Sequence, residues 1–309
     1  MTTLMVASTG GHLKQLHRWR LHLDEVQGPF SWITFDKQQS RSMLADEDVE
    51  YVKVIGSRDP RGALRSLPDA ARIVRRQAPS AIVSTGSAVA LPFMLAGRAR
   101  GVRCLYIESA ARSQGPSLTG RMVARIPGVE LYTQYPGWAD GQWRYRGSIF
   151  DDFMVAPSEP VEDRPLRVVV TLGTLKYGFE RLIHRLLEIL PADAEVLWQS
   201  GSTGVGGLGI EGCESMPEDE LAAAMREADV VVSHAGVGSA LTALEAGRLP
   251  VLVPRLVRFG EHVDDHQNQI ATELESRGLA VNVTPDALDL ETLLVAAASR
   301  VVTGSEVGC

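Results

Sequence analysis

Residues 230–254 read VVVSHAGVGSALTALEAGRLPVLVP. Three valines and a serine form a short β-branched run suited to a strand buried on both faces. Gly236 and Gly238 then turn the chain, and Ala240, Leu241, Ala243 and Leu244 take up helical spacing. A second apolar run, 251–253, follows Pro250. Strand, glycine turn, helix, strand is the βαβ unit of a parallel sheet, and it predicts an α/β fold.

The same alternation extends through the chain. In the first half strands are expected at residues 4–7, 31–35, 51–55, 81–84, 103–107 and 130–133; in the second, at 167–171, 196–199, 230–233, 251–253 and 280–283. Between them, residues 151–165 (DDFMVAPSEPVEDRP) are acidic, proline-bearing and without apolar period, which places a linker there. The expectation is two tandem Rossmann-like, doubly wound domains, 1–156 and 166–309, with a cleft at their facing strand ends. A length of 309 residues, with 45% hydrophobic and 22% charged residues and a net charge of -7, suits two ordinary globular domains.

Composition narrows the function classes. Cys104, Cys213 and Cys309 lie far apart, so neither a disulfide framework nor a cysteine-rich zinc site is expected, and a reducing cytoplasm fits. Residues 1–7 lack the pattern of a signal peptide. The most apolar stretch, 88–97, is far short of the roughly 18 residues of a membrane span. Residues 1–160 hold 20 Lys and Arg against 15 Asp and Glu, whereas the remainder hold 11 against 23. A basic first half suits an anionic membrane surface or a phosphate-bearing ligand as well as plain solvation. One helix is expected to bury Leu64, Leu67, Ala71 and Val74, with Arg61, Arg65, Arg72 and Arg76 on another face.

Several glycine turns compete for a phosphate. Residues 204–209 (GVGGLG) match G-x-G-x-x-G, but Gly212 and Pro217 follow and no helix can start at once, so a flexible surface loop is expected. Ser8-Thr9-Gly10-Gly11-His12 sits better, directly after the first strand and at a helix start. Free amides there suit phosphate or a developing anion, and His12 is a candidate general base. Ser84-Thr85-Gly86-Ser87 repeats the arrangement after another strand. Glu108 is a rival base and Arg112 a phosphate contact, unless the two merely pair on the surface. In the second half, Gly236 to Ser239 present amides to a pyrophosphate, and Asp265, His266 and Gln267 suit sugar hydroxyls. His262 and His266 lie four apart, but the sequence is not H-E-x-x-H and no metal is expected. There is no G-x-S-x-G for a serine hydrolase.

HAGVGSALTALEAG, PVLVPR and GEHVDDHQ together resemble the nucleotide-sugar half of GT-B glycosyltransferases. The likeness is to the catalytic subunit of the dolichol-pathway N-acetylglucosaminyltransferase and to paired exopolysaccharide glucuronosyltransferase subunits; the donor half is also similar to the MurG family. STGGHLKQL, STGSAVALPF, YIESAARSQGPSLTGRM and LYTQYP are similar to the acceptor-side, membrane-associated partner, and VTLGTLKYGFERLI to the opening of the donor subunit. The chain looks like both subunits joined. The resemblance implies donor binding by Thr174, His234, Gly236, Gly238, Ser239, Glu245, Asp265, His266 and Gln267. It implies acceptor or base roles for Gly10, Gly11, His12, Glu108 and Arg112, to which the second glycine turn adds Gly86 and Ser87 as acceptor-binding candidates. Related enzymes carry a ribose-binding glutamate where Thr242 falls, which leaves Glu245 as the substitute.

The expectation is an inverting transfer from a UDP-sugar donor substrate, without cofactor, to a polyprenyl-diphosphate-linked saccharide. Such an enzyme would be cytoplasmic and peripheral to the inner face of the membrane, because the partner's N-terminal membrane helix is missing. Arg255 and Arg258 tilt the donor toward UDP-glucuronate over UDP-N-acetylglucosamine, as partners for a uronate carboxylate. A homo-oligomer or a membrane-protein partner is left open, and no nucleic acid is expected. A UDP-sugar epimerase of the same fold and a non-catalytic membrane-recruiting partner are the alternatives.

Overall fold

The computed structural model describes residues 2–23, 26, 28–56, 59–158, 164–173, 177–262 and 266–304. The chain divides into two compact units, Met1–Ile149 and Phe150–Cys309.

The first unit runs β1 (Thr3–Ala7), α1 (Gly11–Trp19), β2 (Phe30–Phe35), α2 (Gln38–Met43), β3 (Asp48–Val52), α3 (Pro60–Arg65), α4 (Leu67–Gln77), β4 (Ala81–Gly86), α5 (Ala90–Ala99), β5 (Arg103–Ile107), α6 (Leu118–Val123), β6 (Val129–Thr133) and β7 (Trp143–Tyr145). Its seven strands are parallel in the order β3-β2-β1-β4-β5-β6-β7. The winding reverses between β1 and β4, so the turns leaving these two strands diverge and open a crevice at their C-terminal ends, where doubly wound sheets bind ligands. Leu4, Val6, Ile33, Ile82, Phe93 and Met94 form the core beneath it. Helix α5 is seated closely on the sheet: a Cβ on Gly97 would lie 2.6 Å from Ile82 Cδ1 and 2.7 Å from Cys104 Sγ.

The second unit runs β8 (Phe153–Pro157), β9 (Arg167–Thr171), α7 (Glu180–Ile189), β10 (Glu195–Gln199), β11 (Gly212–Cys213), α8 (Glu218–Glu227), β12 (Val230–Ser233), α9 (Val237–Glu245), β13 (Pro250–Leu252), α10 (His266–Ser276), β14 (Val281–Asn282), α11 (Leu290–Ala297) and β15 (Ser299–Thr303). Six strands are parallel in the order β11-β10-β9-β12-β13-β14, with the reversal between β9 and β12. Strands β8 and β15 form a separate antiparallel ribbon. The expected α/β architecture with two doubly wound sheets is thus the observed one.

Four local expectations need correction. The third strand is Asp48–Val52, not 51–55. Part of the stretch read as linker is strand β8, which β15 recruits from the far end of the sequence. The arginine-bearing helix is broken at Ser66, and its buried residues are Ala63, Ala70, Ile73 and Val74, while Leu64 is 66% exposed and Ala71 is exposed. Pro68 lies in the first turn of α4, which restarts the helix and resets its phase. Finally, the 204–209 loop is pinned rather than loose, since Val205, Leu208 and Ile210 pack on the second core.

Because the Ile82 and Cys104 side chains that face Gly97 are themselves fully buried and have no room to give, Gly97→Val should destabilise the first unit by about 2 kcal/mol through overpacking. Urea denaturation monitored by tryptophan fluorescence measures it. An unchanged midpoint would mean that α5 can lift off the sheet at no cost.

Candidate active site

In the first unit the chain leaves β1 through Gly10, at φ 85°, a backbone conformation open mainly to glycine, and enters α1 at once. His12, half-buried in the first turn of α1, places Nδ1 2.9 Å from the carbonyl oxygen of Thr85 at the end of β4. A carbonyl only accepts, so Nδ1 carries the hydrogen and the basic lone pair lies on Nε2. The Thr85 hydroxyl donates in turn to the His12 carbonyl at 2.7 Å. Gly86 has φ +111°, and a Cβ there would sit 2.9 Å from the Tyr106 hydroxyl and 3.3 Å from His12 Cε1. Ser87 holds a left-handed φ of 67°, a strained conformation for a residue with a side chain. The structure therefore brings Gly10, Gly11, His12, Gly86 and Ser87 together at the reversal point of one sheet.

Glu108 has a different surrounding from the one its sequence position suggests. It is 1% exposed, and its carboxylate accepts hydrogen bonds from Ser109 N (3.0 Å), Ser117 N (2.9 Å) and Ser117 Oγ (3.1 Å). Burial raises its pKa, and the amides of Ser117 and Ser109 oppose that rise. The carboxylate anchors the loop after β5 to the start of α6, with Ser117 as the N-cap of that helix. Glu108 is buried rather than on the surface, and the charge of Arg112 helps to hold its pKa down; the Arg112 carbonyl receives the Trp138 Nε1 hydrogen at 3.1 Å. Sequence reasoning missed Gln15 and Gln134. The Gln15 amide donates to Gly11 O (3.0 Å) and Ser109 Oγ (3.1 Å) and accepts from Ala110 N (2.8 Å). Gln134 donates to Glu108 O at 2.9 Å. The available signal was the placement of Gln15 three residues after His12, on a neighbouring face of α1.

In the second unit His234 follows β12 and is 7% exposed. Its Nδ1 lies 3.3 Å from Thr171 O at the end of β9. Two loops close on the ring: a Cβ on Gly173 would come within 2.5 Å of its Cε1, and one on Gly236 would overlap Nε2. Gly236 is the N-cap of α9, so the amides of Val237, Gly238 and Ser239 are first-turn donors without helical acceptors. Burial, and secondarily the charge of Arg255, lower His234 to about 3, which keeps the ring neutral.

Other donor-side residues are distributed less simply. Gln267 is buried, with Oε1 accepting from Arg255 N at 2.9 Å. His266 opens α10 with its ring 4.7 Å from that of His262. Glu245 is exposed at the last position of α9, about 10 Å along the axis from Gly238, and so is not brought to the helix entrance. Thr242, for which Glu245 was the expected substitute, is buried and donates to Glu218 Oε1 at 2.7 Å. Arg255 cannot meet a uronate as expected, because it is 0% exposed and donates to Leu172 O at 2.8 Å. Arg258 is exposed, with its guanidinium carbon 4.8 Å from the Phe259 ring centroid. Thr174 and Asp265 lie outside the described residues.

This arrangement, two doubly wound sheets with glycine-led helix entrances, is the GT-B fold, and residues 168–300 match the glycosyltransferase family 28 C-terminal domain. The chain is a glycosyltransferase. It is 25% identical over 92% of its length to the UDP-N-acetylglucosamine–N-acetylmuramyl-(pentapeptide) pyrophosphoryl-undecaprenol N-acetylglucosamine transferase of Xanthomonas axonopodis pv. citri, covering 70% of that protein. MurG of Acinetobacter baumannii superposes with a TM-score of 0.60 at 21% identity, over 96% of this chain and 89% of that one. UDP-GlcNAc 2-epimerase of Methanocaldococcus jannaschii gives 0.58 at 12% identity, over 96% and 91%. The fold is therefore shared with an epimerase, and the family 28 match is what separates the two chemistries.

A depressed histidine carries a stability signature. The unfolded state takes up a proton on His234 below its ordinary pKa of about 6.5 while the folded state does not until about 3, so stability is lost as pH falls through this window. From pH 7 to pH 5 the loss from this group is about 2 kcal/mol. Urea midpoints of the wild type and His234→Gln at the two pH values test it. The variant should lose correspondingly less between pH 7 and 5, and parallel losses would refute a buried neutral ring.

Proposed function

We propose that the protein transfers N-acetylglucosamine from UDP-N-acetylglucosamine to a hydroxyl of a polyprenyl-diphosphate-linked saccharide, with inversion at the anomeric carbon. The observation that carries this reading is the His12–Thr85 bond, because it leaves Nε2 as the basic nitrogen of a histidine on a rigid helix start. In the reaction His12 Nε2 takes the acceptor hydroxyl proton as the new C–O bond forms at the anomeric carbon. The bond to the UDP oxygen breaks, and the charge that develops on the departing diphosphate is received by the amides at the entrance of α9. Glu108 positions the loop after β5 and does not exchange the proton.

N-acetylglucosamine is favoured over glucuronate for two reasons. The transferase of Xanthomonas axonopodis bears that sugar in its name. Of the two arginines that suggested a uronate, Arg255 is buried against a backbone carbonyl, which leaves only the exposed Arg258 to meet one. A peripheral membrane position is supported by Leu64 and Leu118, 66% and 54% exposed on α3 and α6, which both pack on α5 and carry Arg61, Arg65 and Arg121. Among the described residues no helix is long and apolar enough to cross a membrane.

His12→Ala should lower UDP release from UDP-N-acetylglucosamine and a polyprenyl-diphosphate saccharide by about 10²- to 10⁴-fold, with UDP affinity unchanged. Turnover near wild type would place the base elsewhere. With UDP-glucuronate as donor, wild-type kcat/KM should be the lower of the two, and the reverse order would reassign the sugar.

A further inference from the structure

Arg255 lies three residues beyond β13, at the C-terminal end of the second sheet, and is 0% exposed. Its Nη2 donates to Leu172 O, while Nε and Nη1 are buried with no hydrogen-bond partner among the described residues. A guanidinium taken from water is ordinarily met by a carboxylate, and an unmatched one is costly. Glu261 and Glu180 act on it through their charge alone, and the hydrogen-bonding capacity of Glu261 goes elsewhere: it is bidentate with Arg181, at 2.8 and 3.0 Å, and accepts Leu256 N at 3.0 Å. The Phe179 ring, 5.5 Å from the guanidinium carbon to its centroid, gives only partial compensation. Burial lowers the group to about 10, so it remains a cation at neutral pH.

The surroundings indicate what this cation is for. Leu172, which it holds, is followed by Gly173, and Gly173 is one of the two glycines closed on His234 at the entrance of α9. His234 is neutral, so no second positive charge on that ring competes for an anion. A buried charge in low-dielectric surroundings acts over a longer distance than one in water, and here it adds to the partial positive charge of the first-turn amides.

We infer that Arg255 is a positioning residue for the diphosphate of the donor: it holds the chain just past β9 through the Leu172 carbonyl and supplies from there the positive potential that distinguishes a diphosphate from a monophosphate. This inference rests on the UDP-sugar reading above. It does not require the guanidinium to touch the ligand.

Calorimetric titration of UDP and UMP into the wild type, R255Q and R255K separates the possibilities. R255Q keeps a donor for Leu172 but loses the charge, so its preference for UDP over UMP should fall by about tenfold or more, with UMP affinity nearly unchanged. R255K keeps the charge and should hold that preference within about threefold of wild type. Equal weakening of UDP and UMP in R255Q, or an unaltered preference, would reduce Arg255 to a structural group. A preference that collapses in R255K would overturn the inference even if R255Q did not fold. A wild-type protein that binds neither nucleotide would instead remove the donor reading on which the inference stands.

Discussion

A strand in a parallel sheet ends on carbonyl oxygens that its neighbours do not satisfy, next to helix entrances whose amides are equally unpartnered. Both units bring an imidazole to this edge. In each, a histidine beyond one of the two strands at the reversal of the sheet approaches, through Nδ1, a carbonyl at or next to the end of the other: His12 with Thr85, and His234 with Thr171, whose carbonyl also accepts the His234 backbone N–H at 3.3 Å. A ring fixed in this way sets the path of two loops at once and selects which nitrogen keeps its lone pair.

Burial then separates the two histidines. His234 is closed in by Gly173 and Gly236 and held neutral, so it acts as a rigid wedge at the entrance of α9. His12 is only half-buried, and its fixation presents Nε2 as a base. The supports are correspondingly different. Beside His12, among the described residues, Thr85, Gln15 and Gln134 brace the backbone with uncharged groups, and Glu108 accepts from Ser109 and Ser117. Around His234 the notable group is a buried cation, Arg255, tied to the same stretch of backbone.

Much of the fold is legible in the sequence because its signals are local. Val168, Val169 and Val170, or Val230, Val231 and Val232, can hardly be anything but strands buried on both faces, and the glycines after them mark turns. What escaped depended on distant partners. Strand β8 forms because β15 pairs with it from the other end of the unit, and Met154 and Val155 by themselves read as part of a linker. The phase of α4 shifted because the helix restarts after Ser66, an interruption that a periodicity count runs across. In the site, His12 and the glycines could be nominated from spacing, but Thr85 as its partner is 73 residues away. Arg255 illustrates the opposite error: an arginine after a strand reads as solvent-facing, and only packing shows that it is fully enclosed.

Base catalysis by His12 depends on which of its ring nitrogens bears the proton. Long-range ¹H–¹⁵N correlation spectroscopy at neutral pH, with His12 assigned through His12→Gln, measures this directly. The neutral ring should show Nδ1 protonated and Nε2 in the range of an unprotonated nitrogen. A ring with the hydrogen on Nε2 would have no base to offer an acceptor hydroxyl and would contradict the account.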